Sequence, residues 1–194
     1  MIAIIDYDAG NVKSVQNALK KLGFEAVITS DIETIENADK VIFPGVGEAS
    51  SAMKKLKERG LDTVIPNLKQ PVLGICLGMQ LMCNASEEGN TKALGIFDCE
   101  VKLFPNSDIV PHMGWNNVAE MKGKLLENIS EIDNFYFVHS YYAEIGESTT
   151  SVCDYITPFS ATLEKDNFYA AQFHPEKSGD AGFKLLENFL NLRF

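Results

Sequence analysis

The segment Gly74-Ile75-Cys76-Leu77-Gly78 is where residue types and spacing point most directly to chemistry. An apolar run, Pro71 to Ile75, leads straight into the cysteine, and a helical pattern follows it. Glycines stand two before and two after. This is the frame of a nucleophile elbow, with sulfur where oxygen usually stands. A sharp strand-to-helix turn lifts the central side chain above the sheet edge, and only small neighbours leave it room. Backbone N–H groups just past such a turn face the reacting centre and favour an anionic sulfur. Cysteine is also among the most buried residue types, so a core cysteine at a strand end competes with this reading. The flanking glycines weigh against it. Cys83, Cys99 and Cys153 lack such a frame and read as core or surface residues.

A thiol nucleophile needs a base, and the base needs a group to orient it. His174-Pro175-Glu176 follows the apolar run Tyr169 to Phe173. In extended chain, residues two apart share a face, so His174 and Glu176 can both face the elbow, the carboxylate fixing the imidazole tautomer. A surface histidine beside a surface glutamate gives the same pattern. His112 has no carboxylate at comparable spacing, and His139, within the strand-like Tyr136 to Ser140, reads as a core histidine. The order Cys, His, Glu argues against an α/β-hydrolase, where the acid precedes the histidine.

Pro44-Gly45-Val46-Gly47 lies between a strand and a helix. Taken with Ser50 it is a defective dinucleotide fingerprint: the third glycine is missing, and Glu48 brings negative charge to the pyrophosphate position. An electrostatic role suits it better. Gly45, Val46 and Gly47 can direct backbone N–H groups at a developing oxyanion, with the N–H of Leu77 as second donor. A turn that merely needs glycine remains the competing account.

The elements that must hold these residues follow from patterning. Ile2 to Ile5 and Pro71 to Ile75 read as buried strands, and Phe24 to Thr29 and Lys40 to Phe43 as further strands, the latter breaking at Pro44-Gly45. Between them, a helix capped by Asn11 or Ser14 carries Val12, Val15, Leu19 and Leu22 on one face and stops at Gly23. A second helix covers Glu48 to Arg59. Repeated β-α-β-α implies a parallel sheet with helices on both faces. In the second half strands crowd together: Ala93 to Phe104, Asn134 to Ala143, Ser151 to Ile156, and Ala161 to Gln172 with a turn at Lys165-Asp166-Asn167. A helix over Lys184 to Leu192 turns Phe183, Leu186, Phe189 and Leu190 inward. One domain over 1–194, with a mixed sheet parallel at its centre, is the expected architecture.

The chain has 194 residues, 45% of them apolar and 23% charged, which is ordinary globular usage. Its net charge of −10 disfavours nucleic acid and anionic lipid. The basic cluster Lys54, Lys55, Lys57 and Arg59 reads as a solvated helix face. The start, MIAIIDYDAG, lacks the basic opening and long apolar run of a signal peptide, and no apolar run approaches the roughly 18 residues of a membrane span. Four cysteines without a C-x-x-C pair suggest free thiols in the cytoplasm. Three histidines, none beside a cysteine pair, give no zinc site. No cofactor is expected.

Taken together, elbow, glycine loop and His-x-Glu resemble the class I (triad) glutamine amidotransferases. The likeness runs in order through Asp6-Tyr7 to Gly10-Asn11, PGVG at 44–47, GICLGMQ at 74–80, PHMGWN at 111–116, YFVHSY at 136–141 and QFHPEKSG at 172–179. Asp8, Glu48 and Ala49 depart from the usual pattern. PHMGWN and YFVHSY narrow the resemblance to glutaminase subunits of histidine biosynthesis. It implies a three-layer, flavodoxin-like α/β fold and hydrolysis of the glutamine amide by Cys76, His174 and Glu176. It also implies that Gln80, Glu88, Ser140 and Tyr141 hold glutamine. A (β/α)8-barrel cyclase subunit is the implied partner in a heterodimer, with Met113, Trp115, Asn116, Tyr136 and Lys177 as candidates for the docking face. The alternatives are a glutaminase subunit of another synthase, of pyridoxal phosphate or anthranilate type, and a non-catalytic binding module.

Overall fold

The computed structural model describes residues 1–193. In chain order the elements are β1 (Ile2–Ile5), α1 (Val12–Lys21), β2 (Ala26–Thr29), α2 (Ile32–Glu36), β3 (Lys40–Gly45), α3 (Ala49–Glu58), α4 (Leu61–Val64), β4 (Val72–Cys76) and α5 (Leu77–Met82). There follow β5 (Ala85–Ser86), β6 (Thr91–Lys92), β7 (Glu100–Leu103), β8 (His112–Asn117), β9 (Asn134–His139), β10 (Tyr141–Ala143), β11 (Thr149–Asp154), β12 (Pro158–Lys165), β13 (Phe168–Ala171) and α6 (Gly179–Leu190).

The central sheet has the order β11-β12-β13-β4-β3-β1-β2. From β2 to β13 all neighbours are parallel, and β12 and β11 complete the edge antiparallel. The mixed α/β sheet with a parallel centre is therefore as the sequence implies. Two apolar layers flank it. One packs α3, α4 and α5 on one face, and the other packs α1 and α6 on the opposite face. β4 lies in the middle with all five residues buried, as its unbroken apolar run requires.

Several boundaries differ from the sequence reading. β3 does not break before Pro44 but continues through Gly45, with Pro44 opposite Ile75 and Gly45 opposite Cys76. Pro44 is next to the strand's last residue, where a missing N–H interrupts little of the ladder. The run Ala93 to Phe104 yields only β7. Its first part instead folds back onto the end of α5, with the N–H groups of Leu94 and Ile96 donating to the carbonyls of Leu81 and Met82. Asn134 to Ala143 is two strands in different sheets. β9 pairs with β8, β10 pairs with β7, and Ser140 is the joint. The turn at Lys165-Asp166-Asn167 closes the β12–β13 hairpin as expected. α6 begins earlier than expected, at Gly179, and buries Leu185, Leu186, Phe189 and Leu190, leaving Phe183 only half-buried.

Candidate active site

Cys76 ends β4 and stands immediately before α5, with φ 54° and ψ −109°. A side-chain-bearing residue held there stores of order 1–3 kcal/mol of backbone strain, and the sheet must supply it. Pairing on both sides of β4 does so: Gly74 lies opposite Phe43 of β3 and Ala170 of β13. The glycines are packing requirements. A Cβ on Gly78 would overlap the carbonyl oxygen of Phe43, and one on Gly74 would come 2.7 Å from Met82 Sδ. The Cys76 sulfur lies 3.7 Å from Gln172 Nε2 and 4.0 Å from the Val138 carbonyl oxygen.

His174 follows β13 on the neighbouring chain path. Its N–H donates to the Tyr136 carbonyl (2.9 Å), and Ser178 Oγ ties the segment further by donating to the His174 carbonyl at 2.6 Å. His174 and Glu176 do meet, with Nδ1 to Oε1 at 2.8 Å, but through a 3-10 turn at Pro175–Lys177 rather than an extended segment. An ionised carboxylate only accepts, so Nδ1 carries the proton and Nε2 is left toward the sulfur side. Asn11 Nδ2 donates to the same carboxylate oxygen at 3.2 Å. The sequence suggested Asn11 as a helix cap; it occupies the cap position of α1, yet its side chain caps nothing there and serves Glu176. Burial alone lowers the His174 pKa. The sulfur of Cys76 and the carboxylate of Glu176 outweigh burial and raise it to about 10. Nε2 meets no partner at hydrogen-bond distance among the described residues, while the Cys76 sulfur is close enough to be the first of the groups that raise the imidazole pKa.

A cavity of about 370 Å³ opens above the sulfur. Val46, Gly47, Leu77, Gln80, Glu88, Ser140 and Tyr141 line it together with Cys76 and His174. Gly45 does not. It ends β3 beside Cys76, where a Cβ would run into the Tyr7 hydroxyl. The Val46 N–H donates to the Ala9 carbonyl at 3.4 Å, so this loop amide is engaged away from the thiol. Glu88 combines pocket lining with capping: its Oε2 accepts from the Ala49 N–H at 2.8 Å, while burial raises its pKa. Gln80 is buried, its Nε2 donating to the Tyr141 carbonyl (2.8 Å) and to Gln172 Oε1 (2.9 Å).

The residues that depart from the family pattern have local partners. Glu48 caps α3 by accepting from Ser50 and Ser51 N–H groups. Asp8, at φ 60°, is ion-paired to Arg59, and Lys55 donates to its carbonyl. Part of the basic cluster therefore anchors the loop that carries Asn11. On the rim, β8 exposes Met113 (66%) and Trp115 (58%), and Trp115 meets Tyr136 edge-on at 6.0 Å. Lys177 is exposed, and Asn116 and Tyr136 are half-buried. The sequence reading missed Asn11 and Gln172 as site residues. Gln172 stands two before His174 and opens the QFHPEKSG segment, so strand alternation and that segment were the signals for it.

The family model described as glutamine amidotransferase class-I matches residues 3–192. Imidazole glycerol phosphate synthase subunit HisH of Bacteroides fragilis (strain YCH46) is 59% identical over 98% of this chain and 99% of its own. The HisH 2 subunit of Methanococcus maripaludis is 48% identical over 98% of each chain. Among solved structures, one described as a glutamine amidotransferase superposes with TM-score 0.74 at 20% identity, covering 98% of this chain and 97% of that one. PurLQS from Thermotoga maritima superposes with TM-score 0.72 at 16% identity, covering 98% and 97%. With the match running from the first strand to the last helix, the chain belongs to the class I glutamine amidotransferase family.

Proposed function

We propose that the chain is the glutaminase subunit of imidazole glycerol phosphate synthase. In this reading it hydrolyses L-glutamine to glutamate and ammonia and passes the ammonia to a cyclase subunit, which forms imidazole glycerol phosphate and AICAR. The observation that carries it is the arrival of Cys76 and the hydrogen-bonded His174–Glu176 pair at one cavity. High identity to HisH subunits along the full length supports the choice of synthase.

The chemistry follows from the atoms. The Cys76 sulfur attacks the side-chain amide carbon of glutamine, and the thiol proton passes to His174 Nε2. The imidazolium that forms is stabilised by Glu176, in keeping with its raised pKa. Charge on the former carbonyl oxygen falls to the Leu77 N–H and to the Gly45–Gly47 loop, once Val46 releases Ala9. His174 then returns the proton to nitrogen, the C–N bond breaks, and ammonia leaves a γ-glutamyl thioester. Water, deprotonated by His174, cleaves the thioester and regenerates the thiol. Gln80, Glu88, Ser140 and Tyr141 hold the glutamine; Glu88 suits its ammonium group.

Free ammonia is mostly protonated in neutral water and loses its nucleophilicity, so the product needs an enclosed route. That calls for a partner seated over this cavity, which we take to be a (β/α)8-barrel cyclase in a cytoplasmic heterodimer. Met113, Trp115, Asn116, Tyr136 and Lys177 form its docking face. Two exposed large apolar side chains on one short strand suit a buried anchor. β9 carries Tyr136 and also accepts from the His174 N–H, so docking there bears directly on the base.

The test pairs glutamine with ammonium salt. In complex with the cyclase subunit, Cys76→Ala is expected to lose glutamine-dependent synthesis by more than about 10³-fold and to keep synthesis from added ammonium salt. Retained glutamine hydrolysis sinks the nucleophile assignment. Co-purification from native cytosol with a different synthase sinks the choice of partner.

A further inference from the structure

Among the described residues, the side-chain nitrogen within hydrogen-bond distance of the nucleophile's sulfur is not part of the His–Glu pair. It belongs to Gln172, fully buried just past β13, whose Nε2 lies 3.7 Å from the Cys76 sulfur. An amide can face a sulfur with either end, and the two ends have opposite effects. An N–H donated to sulfur favours the anion, whereas a carbonyl oxygen favours the protonated thiol.

One backbone carbonyl decides which end is presented. The Tyr141 oxygen can only accept. Gln80 reaches it at 2.8 Å and must therefore present Nε2 there. The same Nε2 lies 2.9 Å from Gln172, so the Gln172 atom facing it must be Oε1. The remaining end of Gln172, its NH₂, is then turned to Cys76. Flipping Gln172 alone sets two donors against each other. Flipping both amides sets Gln80 Oε1 against the Tyr141 oxygen.

The carbonyl is itself held from its other side. His139 Nδ1 lies 2.7 Å from it and must donate. A neutral His139 then accepts at Nε2, where His112 Nδ1 approaches at 3.1 Å. His112 in turn accepts at Nε2 from Asn116 Nδ2, 3.4 Å away. Both rings are buried, and burial lowers their pKa values to about 4 for His112 and about 3 for His139, which keeps them in the neutral form the chain of bonds needs. The Val138 carbonyl, at 4.0 Å, can accept the thiol proton when the sulfur is protonated.

We infer that Gln172 holds the nucleophile of this site, donating its amide N–H to the Cys76 sulfur in an orientation fixed through Gln80 and the Tyr141 carbonyl. The inference rests on Cys76 being the nucleophile. In the reaction the donor offsets the negative charge left on sulfur as its proton moves to His174, and it keeps the sulfur aimed into the cavity while the thioester forms and breaks.

The test reads thiol reactivity directly and needs no glutamine. Cys76 alkylation by iodoacetamide is followed by peptide-resolved mass spectrometry, so that the other three cysteines do not interfere. Gln172→Met keeps the bulk and removes the donor. At pH 7 it is expected to slow Cys76 alkylation about tenfold, with the rate returning to that of the parent at pH 10. A purely structural role predicts a loss equal at both pH values. Should Gln172→Met not fold, Gln80→Leu frees the amide to rotate and is expected to slow the pH 7 reaction about threefold. Profiles that overlay the parent in either folded variant overturn the inference. Slowed alkylation together with an inability to hydrolyse glutamine in the parent complex would leave the inference standing and remove the proposed function.

Discussion

Two histidine environments, one at His174 and one at His139, border the cavity above the Cys76 sulfur, and both are buried. In the first, His174 meets Glu176 at 2.8 Å and its pKa rises to about 10. In the second, His112 and His139 meet each other at 3.1 Å and their pKa values fall to about 4 and about 3. Burial pushes all three down. What separates them is the partner: a carboxylate and a sulfur for His174, a carbonyl and a second imidazole for His139. A buried imidazole beside an anion is built to carry charge. One between a carbonyl and a ring nitrogen is built to fix direction, because each bond in the row determines the donor of the next.

The difference also sets opposite pH dependences. For His174 the folded pKa lies above the unfolded value near ~6.5, so its contribution is fully present below that value and is lost as pH rises through about 10. For His112 and His139 the folded values lie below it. Their contribution is present above ~6.5 and is lost as pH falls through about 4 and about 3.

The strongest way to break the contrast is to take away the anion. Glu176→Gln keeps an acceptor for Nδ1 but removes the charge, which makes His174 more like His139. Glutaminase kcat of the complex is expected to fall about 10²–10⁴-fold, with a smaller change in KM. Unchanged kcat would mean that Glu176 does not support the imidazolium. The next largest effect sharpens the other side. By linkage His139 contributes about 2–3 kcal/mol to the loss of stability between pH 7 and pH 4.5. His139→Asn keeps a donor for the Tyr141 carbonyl and is expected to shrink the Tm difference between those pH values by several degrees. An acid limb equal to the parent's would show that His139 is not held neutral.

Smaller effects follow outside the pair. β8 turns His112 inward and Trp115 outward, so Trp115→Ala is expected to weaken cyclase binding by about 2 kcal/mol, roughly 30-fold in Kd by titration calorimetry, and to leave Cys76 alkylation unchanged. Equal affinity would move the docking face elsewhere. Asn11→Ala removes one donor from a carboxylate that keeps His174, and a kcat loss of about fivefold is expected. A loss as large as that of Glu176→Gln would make Asn11 a full member of the His–Glu unit.

Much of this was legible in the residues. The first half alternates apolar strands with amphipathic helices, and such patterns report burial locally, so the parallel centre and the elbow could be read directly. The glycines around Cys76 were legible because a Cβ at 78 has nowhere to go. The second half was harder. Asn134 to Ala143 reads as one strand because its apolar residues are continuous, yet Ser140 divides it between two sheets. The Ala93 run reads as strand, yet its N–H groups serve the end of α5. Hydrophobic pattern records that a residue is buried and is silent on which neighbour buries it.

The sequence by itself determined the nucleophile frame, the His-x-Glu pair and the alternation that builds the sheet, since each depends on residues a few positions apart. Only the tertiary structure decided that Asn11 serves Glu176 rather than a helix end, that the Val46 amide is engaged by Ala9, and that Gln172 turns its NH₂ to the sulfur. Those outcomes join residues up to 165 positions apart. They hang on which single donor or acceptor a buried group finds, and that is settled by packing geometry and not by residue type.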